Sequence, residues 1–203
     1  MKKLLFLFAF AGIALSGIAQ NITGSAHDFS GETWNPTGQI CIVCHTPHNA
    51  DVSVADAPLW NHEVTAATYT LYSSPTLDAT MNQPSGSSKL CLSCHDGTVA
   101  VDNFSGNTGG SDYVTGNDLL GTDMSGHHPF SFTYDDALAS TDGGLFAPST
   151  TSSGLGGTIQ EDMLFSGLLQ CASCHDVHNG SGVGKLLIKS NAGSALCLTC
   201  HNK

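Results

Sequence analysis

The sequence has no arginine and few charged residues of any kind. Its cations are six lysines, which stand against 17 acidic residues and give a formal net charge of −11. Nucleic acids are bound through a basic footprint, so this balance argues against nucleic acid as a partner. The acidic excess is compatible with attraction of a cationic partner or metal ion, or with a simpler role in keeping the protein soluble.

Long apolar segments are also missing, apart from the run Leu4–Leu15. That run follows two lysines and precedes small residues at Gly17 and Ala19, which is the pattern of a secretory signal peptide. A membrane anchor is the weaker alternative, because the run is short and the chain turns polar from Asn21. We therefore expect residues 1–20 to be cleaved off. The mature chain would be secreted, to the extracellular space or cell surface or alternatively to the periplasm, without a membrane span.

No cysteine stands outside one repeated pentapeptide, Cys-x-x-Cys-His. In this pattern two thiols form thioether bonds to one haem, and the histidine becomes the proximal iron ligand. Zinc sites need paired cysteines but not the adjacent histidine, and disulfides do not explain that histidine either. The sequence therefore predicts four covalently bound haem c groups. The predicted attachment residues are Cys41, Cys44, Cys91, Cys94, Cys171, Cys174, Cys197 and Cys200, and the predicted proximal ligands are His45, His95, His175 and His201.

The motifs form an internal repeat. Cys41–Asn49 matches Cys171–Asn179 as Cys-x-x-Cys-His-x-x-His-Asn. Gly86–His95 matches Gly193–His201 around a shared Leu-Cys-Leu-x-Cys-His core. The first and second motifs thus form one pair, and the third and fourth motifs form another.

Four haems would leave little chain for an ordinary core. Without a signal peptide about 184 residues remain, or roughly 46 per haem, which is too few to bury four large planar groups under regular layers. The expected fold is a multihaem cytochrome c fold of mostly irregular coil, with short helices and little sheet, wrapped around a stack of four haems. We expect one tetrahaem domain over 21–203, with one haem pair at about 21–102, a Gly/Ser/Thr-rich loop at about 103–160 and a second pair at about 161–203.

Only short regular elements are predicted within this chain. The first motif is expected on a short helix, Thr68–Tyr72 and Thr98–Val101 as short strands, and Asp162–Leu169 as one or two helical turns. Residues 103–126 and 140–158 are rich in turn-forming residues and are predicted to be loop.

Four irons would need four distal ligands as well. Six histidines lie outside the motifs, which is more than the four distal positions require, and three methionines are competing candidates. Ligation by two histidines is therefore expected at every iron. Such an iron has no open coordination position, which favours electron transfer over catalysis, and we expect no enzyme activity. A multihaem reductase is the less favoured alternative. The candidate histidines are His27, His48, His62, His127, His128 and His178, and the methionines are Met81, Met124 and Met163.

Position in the chain narrows these candidates. His48 and His178 each stand three residues after a proximal histidine, so neither can reach the distal face of its own haem. Each must ligate another haem, support a ligand or do neither. Pro129 holds His128 in extended backbone before an apolar stretch, which favours His128 over His127. The ligands favoured on position alone are His27, His62 and His128.

These motifs resemble those of a known family, the extracellular tetrahaem cytochromes that polymerise into conductive filaments (OmcE-type cytochrome nanowires of metal-reducing bacteria), within the doubled CxxCH group. The resemblance covers nearly the whole mature chain. The stretches that carry it are Ser25–Ser30, Cys41–Asn49, Pro58–His62, Tyr69–Ser73, Leu90–Gly97, His128–Pro129, Cys171–His178 and Leu196–His201.

The resemblance implies a continuous stack of haems in which one haem takes its distal histidine from the neighbouring subunit. Related filaments use the last histidine of the first Cys-x-x-Cys-His-x-x-His for this, which is His48 here. The implied distal set is then His27, His62 and His128 within the chain and His48 in trans, which leaves His127 and His178 spare. Implied partners are identical subunits in a filament, upstream periplasmic or outer-membrane cytochromes, and extracellular electron acceptors. The alternative function is that of a monomeric periplasmic tetrahaem electron shuttle.

Overall fold

The computed structural model describes residues 21–202, so the predicted signal peptide lies outside the described residues. Most of the described chain consists of turns, bends and coil, with a few short helices and one small sheet. This confirms the expected fold of mostly irregular coil with short helices and little sheet. Between residues 21 and 202, no helix combines the length and the apolar character that crossing a membrane requires.

The regular elements are short. The α-helices are Gly86–His95 (α1), Asp136–Asp142 (α2), Ile159–Met163 (α3) and Cys197–Cys200 (α4). The strands are Phe132–Thr133 (β1), Leu164–Phe165 (β2) and Leu168–Leu169 (β3). Single 3-10 turns lie at Phe29–Gly31, Gly116–Asp118, Cys171–Ser173, Gly184–Leu186 and Ala192–Ser194.

The sheet is antiparallel in the order β1-β3-β2, with Leu169 paired to both Phe132 and Leu164. Strands β2 and β3 are joined by Ser166 and Gly167, with φ of 52° and 77°. Two left-handed residues in a two-residue connection are typical of a type I′ hairpin, whose twist suits the flanking strands.

This hairpin overturns the prediction of helical turns over Asp162–Leu169, because α3 ends at Met163 and the chain reverses two residues later. Of the predicted strand Thr68–Tyr72, Thr70 forms an isolated bridge to Asp123. The first motif forms turns and bends in place of the expected short helix. Residues 103–126 are irregular apart from one 3-10 turn, as predicted.

The apolar residues form three separate clusters in place of one layered core. The largest surrounds Ile159 and Met163, which are 0% and 1% exposed, and Cys174 and Cys200 pack against it. A second cluster places Cys44 against its buried apolar residues, and the third contains the fully buried Leu92 of α1. Each cluster therefore includes or contacts a Cys-x-x-Cys-His segment and fixes that segment's position.

Candidate haem-attachment sites

The first motif is a tight turn that is hydrogen-bonded to a downstream segment around Pro58 and Asn61, an arrangement called the clasp below. The His45 amide donates to the Cys41 carbonyl at 2.8 Å, and the Asn61 amide donates to the Cys44 carbonyl at 3.0 Å. His45 Nδ1 lies 2.5 Å from the Pro58 carbonyl oxygen, which can only accept, so Nδ1–H is the donor. The imidazole is thus oriented through Nδ1 and keeps Nε2 for a metal.

The third motif repeats this clasp. The His175 amide donates to the Cys171 carbonyl at 3.1 Å, and the Ile188 amide donates to the Cys174 carbonyl at 3.0 Å. His175 Nδ1 donates to the Lys185 carbonyl at 3.0 Å. The sequence repeat is therefore a structural repeat, in which a returning segment orients the motif histidine in both copies.

The second and fourth motifs lie on helices α1 and α4. His95 ends α1, and its Nδ1 donates to the Asp118 carbonyl at 2.8 Å while the Leu120 amide donates to the His95 carbonyl at 2.7 Å. In the fourth motif the Phe146 amide donates to the Cys200 carbonyl at 2.8 Å. The bracing segment therefore follows the second motif in the chain but precedes the fourth.

The four motifs follow one another in space in their chain order. Each consecutive pair brings one cysteine of each motif close enough to interact. The neighbouring cysteines are Cys44 and Cys94, Cys91 and Cys171, and Cys174 and Cys200. All eight cysteines carry free thiols, so every sulfur is available for a thioether.

Burial keeps several of these sulfurs protonated in the polypeptide. Burial, with the Cys44 thiol nearby, raises the pKa of Cys94 to about 12. Burial, with Cys174 nearby, raises the pKa of Cys200 to about 11. These thiols lie inside the protein between successive motifs, which is where attached haems would be enclosed.

Three of the four motif histidines face a second histidine ring. Metal–imidazole bonds are about 2 Å long, as at zinc, so two imidazoles on opposite sides of one metal have centroids roughly 6 Å apart. The observed separations match this value. They are 6.0 Å for His27 and His95, 6.1 Å for His45 and His178, and 6.2 Å for His128 and His201.

Two of the predicted distal ligands, His27 and His128, are thus brought to motif histidines. Burial, with His95 nearby, lowers the pKa of His27 to about 4, so its imidazole is neutral at physiological pH, as metal ligation requires. His128 Nδ1 donates to the Pro129 carbonyl at 2.8 Å, which again leaves Nε2 for a metal.

His178 is spare in the ligand set that the family resemblance implies. Its ring lies nearly parallel to that of His45, with 17° between the ring planes and 6.1 Å between the centroids, and its Nδ1 lies 3.6 Å from a carboxylate oxygen of Asp176. A carboxylate behind Nδ1 is a common support for a metal-binding histidine. The spacing in the sequence allows this placement, because a histidine three residues after His175 cannot ligate its own haem on the distal side but can ligate another one.

His62, predicted as a distal ligand, occupies a different environment. It is 2% exposed, with Nδ1 at 2.8 Å from the Glu63 carbonyl and Nε2 at 2.9 Å from the Ala100 carbonyl. Its Nε2 also lies 3.5 Å from the Cys94 sulfur. Both nitrogens therefore face the protein interior, and the ring lies beside a haem-attachment cysteine.

His48, predicted to act in trans, is exposed. It lines an open groove of about 580 Å³ together with Trp60 and His62. Among the described residues, His175 is the one motif histidine without a histidine ring opposite it. His127, predicted to be spare, is half-buried, and its amide donates to the Met124 carbonyl.

The residues fit a covalent haem in two further respects. Met124 and Met163 are 2% and 1% exposed inside apolar clusters, so these thioethers serve as packing groups. The buried His27 Nδ1 and Trp60 Nε1 have no hydrogen-bond partner within the described residues. Buried polar atoms are rarely left unpaired, and two such donors beside the motifs suit the carboxylates of a bound haem.

A protein-family model described as the doubled CXXCH motif matches residues 166–203, which span the third and fourth motifs. The match supports a multihaem c-type cytochrome. Such a cytochrome holds its haem through covalent bonds to the motif cysteines and takes part in electron transfer. A comparison with curated proteins finds no match to this chain.

Proposed function

We propose that this chain carries four bis-histidine c-type haems and conducts electrons along them as a subunit of an extracellular filament. The observation that carries the proposal is the succession of the four motifs in space, with neighbouring sulfurs at each step. Haems bound to these sulfurs would follow one another in the same order. A continuous row suits electron transfer from one end of the subunit to the other.

The proposed ligands follow the observed ring pairs. His178 serves the first haem, opposite His45, and His27 serves the second, opposite His95. His128 serves the fourth, opposite His201. This set replaces His62 by His178, because the ring of His178 faces a motif histidine while both nitrogens of His62 lie within 3 Å of backbone carbonyl oxygens.

The third haem, on His175, is proposed to take His48 from a second copy of the chain. The internal repeat supports this pairing, because His48 stands in the first copy of the repeat where His178 stands in the second. His178 reaches across to the motif histidine of the other copy of the repeat, and His48 would do the same between subunits. The exposure of His48 leaves its ring accessible to a partner.

Bound haem supplies the redox-active iron, and the chain controls its environment. The carbonyls that accept from Nδ1 of His45, His95 and His175 hold these three rings in one tautomer and orientation. Apolar clusters pack against Cys44, Cys174 and Cys200, which shields these attachment positions from water. Two histidine ligands and an acidic chain both favour low potentials, which suits delivery of respiratory electrons to external acceptors.

His48→Ala tests the proposal. Haem content should stay at four per chain by mass spectrometry, whereas filaments in negative-stain images should disappear. The isolated variant should show one high-spin haem in four by electron paramagnetic resonance, because the third iron loses its distal ligand. His127→Ala is the matched control and should assemble normally.

The alternatives give different outcomes. Filaments from His48→Ala would contradict the trans ligand. Wild-type chains that stay monomeric at high concentration, with four low-spin haems, would instead indicate a periplasmic shuttle. A high-spin haem retained in assembled wild-type protein would favour a reductase.

A further inference from the structure

The second and third motifs meet at a contact that differs from the other junctions between motifs. The side chains of Cys91 and Cys171, each the first cysteine of its motif, lie close enough to interact, and helix α1 packs against the 3-10 turn Cys171–Ser173. When haem is attached, each of these sulfurs holds one edge of its haem. This junction also joins the two haem pairs, so every electron that crosses the subunit must pass it.

A buried polar cluster surrounds this junction. Gln170, which directly precedes Cys171, accepts through Oε1 from the hydroxyls of Ser88 and Ser131, the latter at 2.8 Å. The backbone N–H of Gln170 donates to Ser173 Oγ at 2.8 Å. Ser88 in turn accepts from the Cys171 amide at 2.9 Å. The cluster therefore ties the side chain before one attachment sulfur to the helix that carries the other.

Ser88 is well placed to transmit this restraint. It stands three residues before Cys91 on α1, and residues three apart lie on the same face of a helix. Gly86, at the start of the helix, has φ of +48°, and a Cβ there would lie 3.2 Å from Gln170 Nε2. Only glycine tolerates both conditions, so the first turn of α1 approaches Gln170 closely.

Burying these polar side chains costs stability, which indicates that the cluster has a functional role. Gln170 is 2% exposed, Ser131 is 1% exposed, and Ser88 and Ser173 are fully buried. Buried polar groups cost stability unless each is paired, but a paired network fixes one arrangement where apolar contacts allow several. Within the described chain, the junction of the first two motifs packs Cys44 among apolar residues, and that of the last two places Cys174 and Cys200 in an apolar cluster.

We propose that Gln170, acting through Ser88, is a positioning residue that fixes the second haem relative to the third and so sets the rate of electron transfer between the two haem pairs. The inference rests on the proposed electron-transfer function but does not require filaments. Gln170 is not a proposed ligand of either iron. It would control the separation of the Cys91 and Cys171 sulfurs and leave the ligation of the irons unchanged.

The test compares Gln170→Met with wild type in isolated, haem-loaded chains. Methionine keeps the length and volume of the side chain but removes the acceptor for both serines. Haem number by mass spectrometry and the proportions of low-spin and high-spin haem should be unchanged. After pulse reduction, re-equilibration of electrons among the haems should slow several-fold. Gln170→Glu keeps an acceptor oxygen at the same place and should stay closer to wild type.

Gln83→Met is the matched control. Gln83 also makes two side-chain bonds, accepting from the Tyr69 amide and donating to the Tyr69 carbonyl, each at 2.9 Å, but away from this junction. It should lose stability without slowing re-equilibration. Equal slowing in both variants, or a wild-type rate in Gln170→Met, would overturn the proposal.

If Gln170→Met fails to load haem, Ser131→Ala decides, because it removes one donor and leaves Gln170 in place. Wild-type chains with fewer than four haems would instead contradict the proposed function itself.

Discussion

The segments around the first and third motifs have the same local structure and different surroundings. In both, the returning segment orients the motif histidine through a carbonyl, and the final asparagine of the repeat, Asn49 or Asn179, has φ of 56°. The second histidine of each copy differs. His178 faces His45 at 6.1 Å, whereas His48 is exposed beside an open groove. Local sequence thus determines the bonding of the motif, while tertiary structure determines which motif histidine, if any, the second histidine faces.

The two copies of the repeat also differ in the residue that follows the motif histidine. Asp176 follows His175 and places a carboxylate oxygen 3.6 Å from His178 Nδ1. The equivalent residue after His45 is Thr46, whose hydroxyl donates to the His48 carbonyl at 2.9 Å and carries no charge. The second copy therefore supports its histidine within the chain. The first copy leaves the His48 ring accessible, which suits a ligand that acts only after a second subunit arrives.

The largest effect is expected from His178→Ala. Loss of the distal ligand should convert the first haem from low-spin to high-spin within the isolated chain, which electron paramagnetic resonance and visible spectra would detect. His48→Ala should leave this haem low-spin in the same measurement. The contrast between the two copies would then be a contrast between a ligand in cis and a ligand in trans.

His62→Ala is the control, because His62 was the distal ligand that position in the sequence favoured. It should keep the first haem low-spin, since both of its ring nitrogens face carbonyls. The opposite result, with a high-spin haem in His62→Ala and unchanged spectra in His178→Ala, would restore the original ligand set.

Much of the site follows from the sequence because haem attachment is encoded locally. The motif positions, the repeat and the mainly irregular chain all follow from residues that are close in the sequence. The placement of His62 and His178 does not, since each depends on contacts between distant segments. His62 reaches the Ala100 carbonyl, and His178 reaches His45 across more than half the chain. The prediction of helical turns over Asp162–Leu169 is wrong because Ser166-Gly167 inside that stretch is a turn signal, and it forms the hairpin connection after α3.

A smaller effect is expected from Asp176→Asn. The asparagine keeps an oxygen for the His178 amide, at 2.9 Å in the wild type, but removes the negative charge behind the imidazole. A carboxylate there makes the ligand more basic and favours ferric iron, so its loss should raise the potential of the first haem. A tenfold change in relative affinity corresponds to about 59 mV for a one-electron couple. Spectroelectrochemical titration measures the shift.

The matched variant for this comparison is Thr46→Asp. It gives the first copy the carboxylate of the second, and in isolated chains it should leave the potential of the first haem almost unchanged, because His48 has no iron to support there. A shift as large as that of Asp176→Asn would mean that the charge acts through space and not through His178.

The smallest effect concerns the two asparagines with left-handed backbone. Asn49→Val should lower the free energy of unfolding by about 1–2 kcal/mol, because a β-branched residue is strained at positive φ. Asn49→Gly should be nearly neutral, since glycine adopts this conformation freely.

Asn179 adds a hydrogen bond from its Nδ2 to the Asn21 carbonyl at 3.1 Å. Asn179→Gly should therefore lower the free energy of unfolding slightly more than Asn49→Gly does, by less than about 1 kcal/mol because the bond is exposed. Denaturant titration of the haem-loaded chain measures all three variants. Equal losses for the two glycine variants would show that this contact does not stabilise the second copy, and a neutral Asn49→Val would contradict the shared clasp conformation.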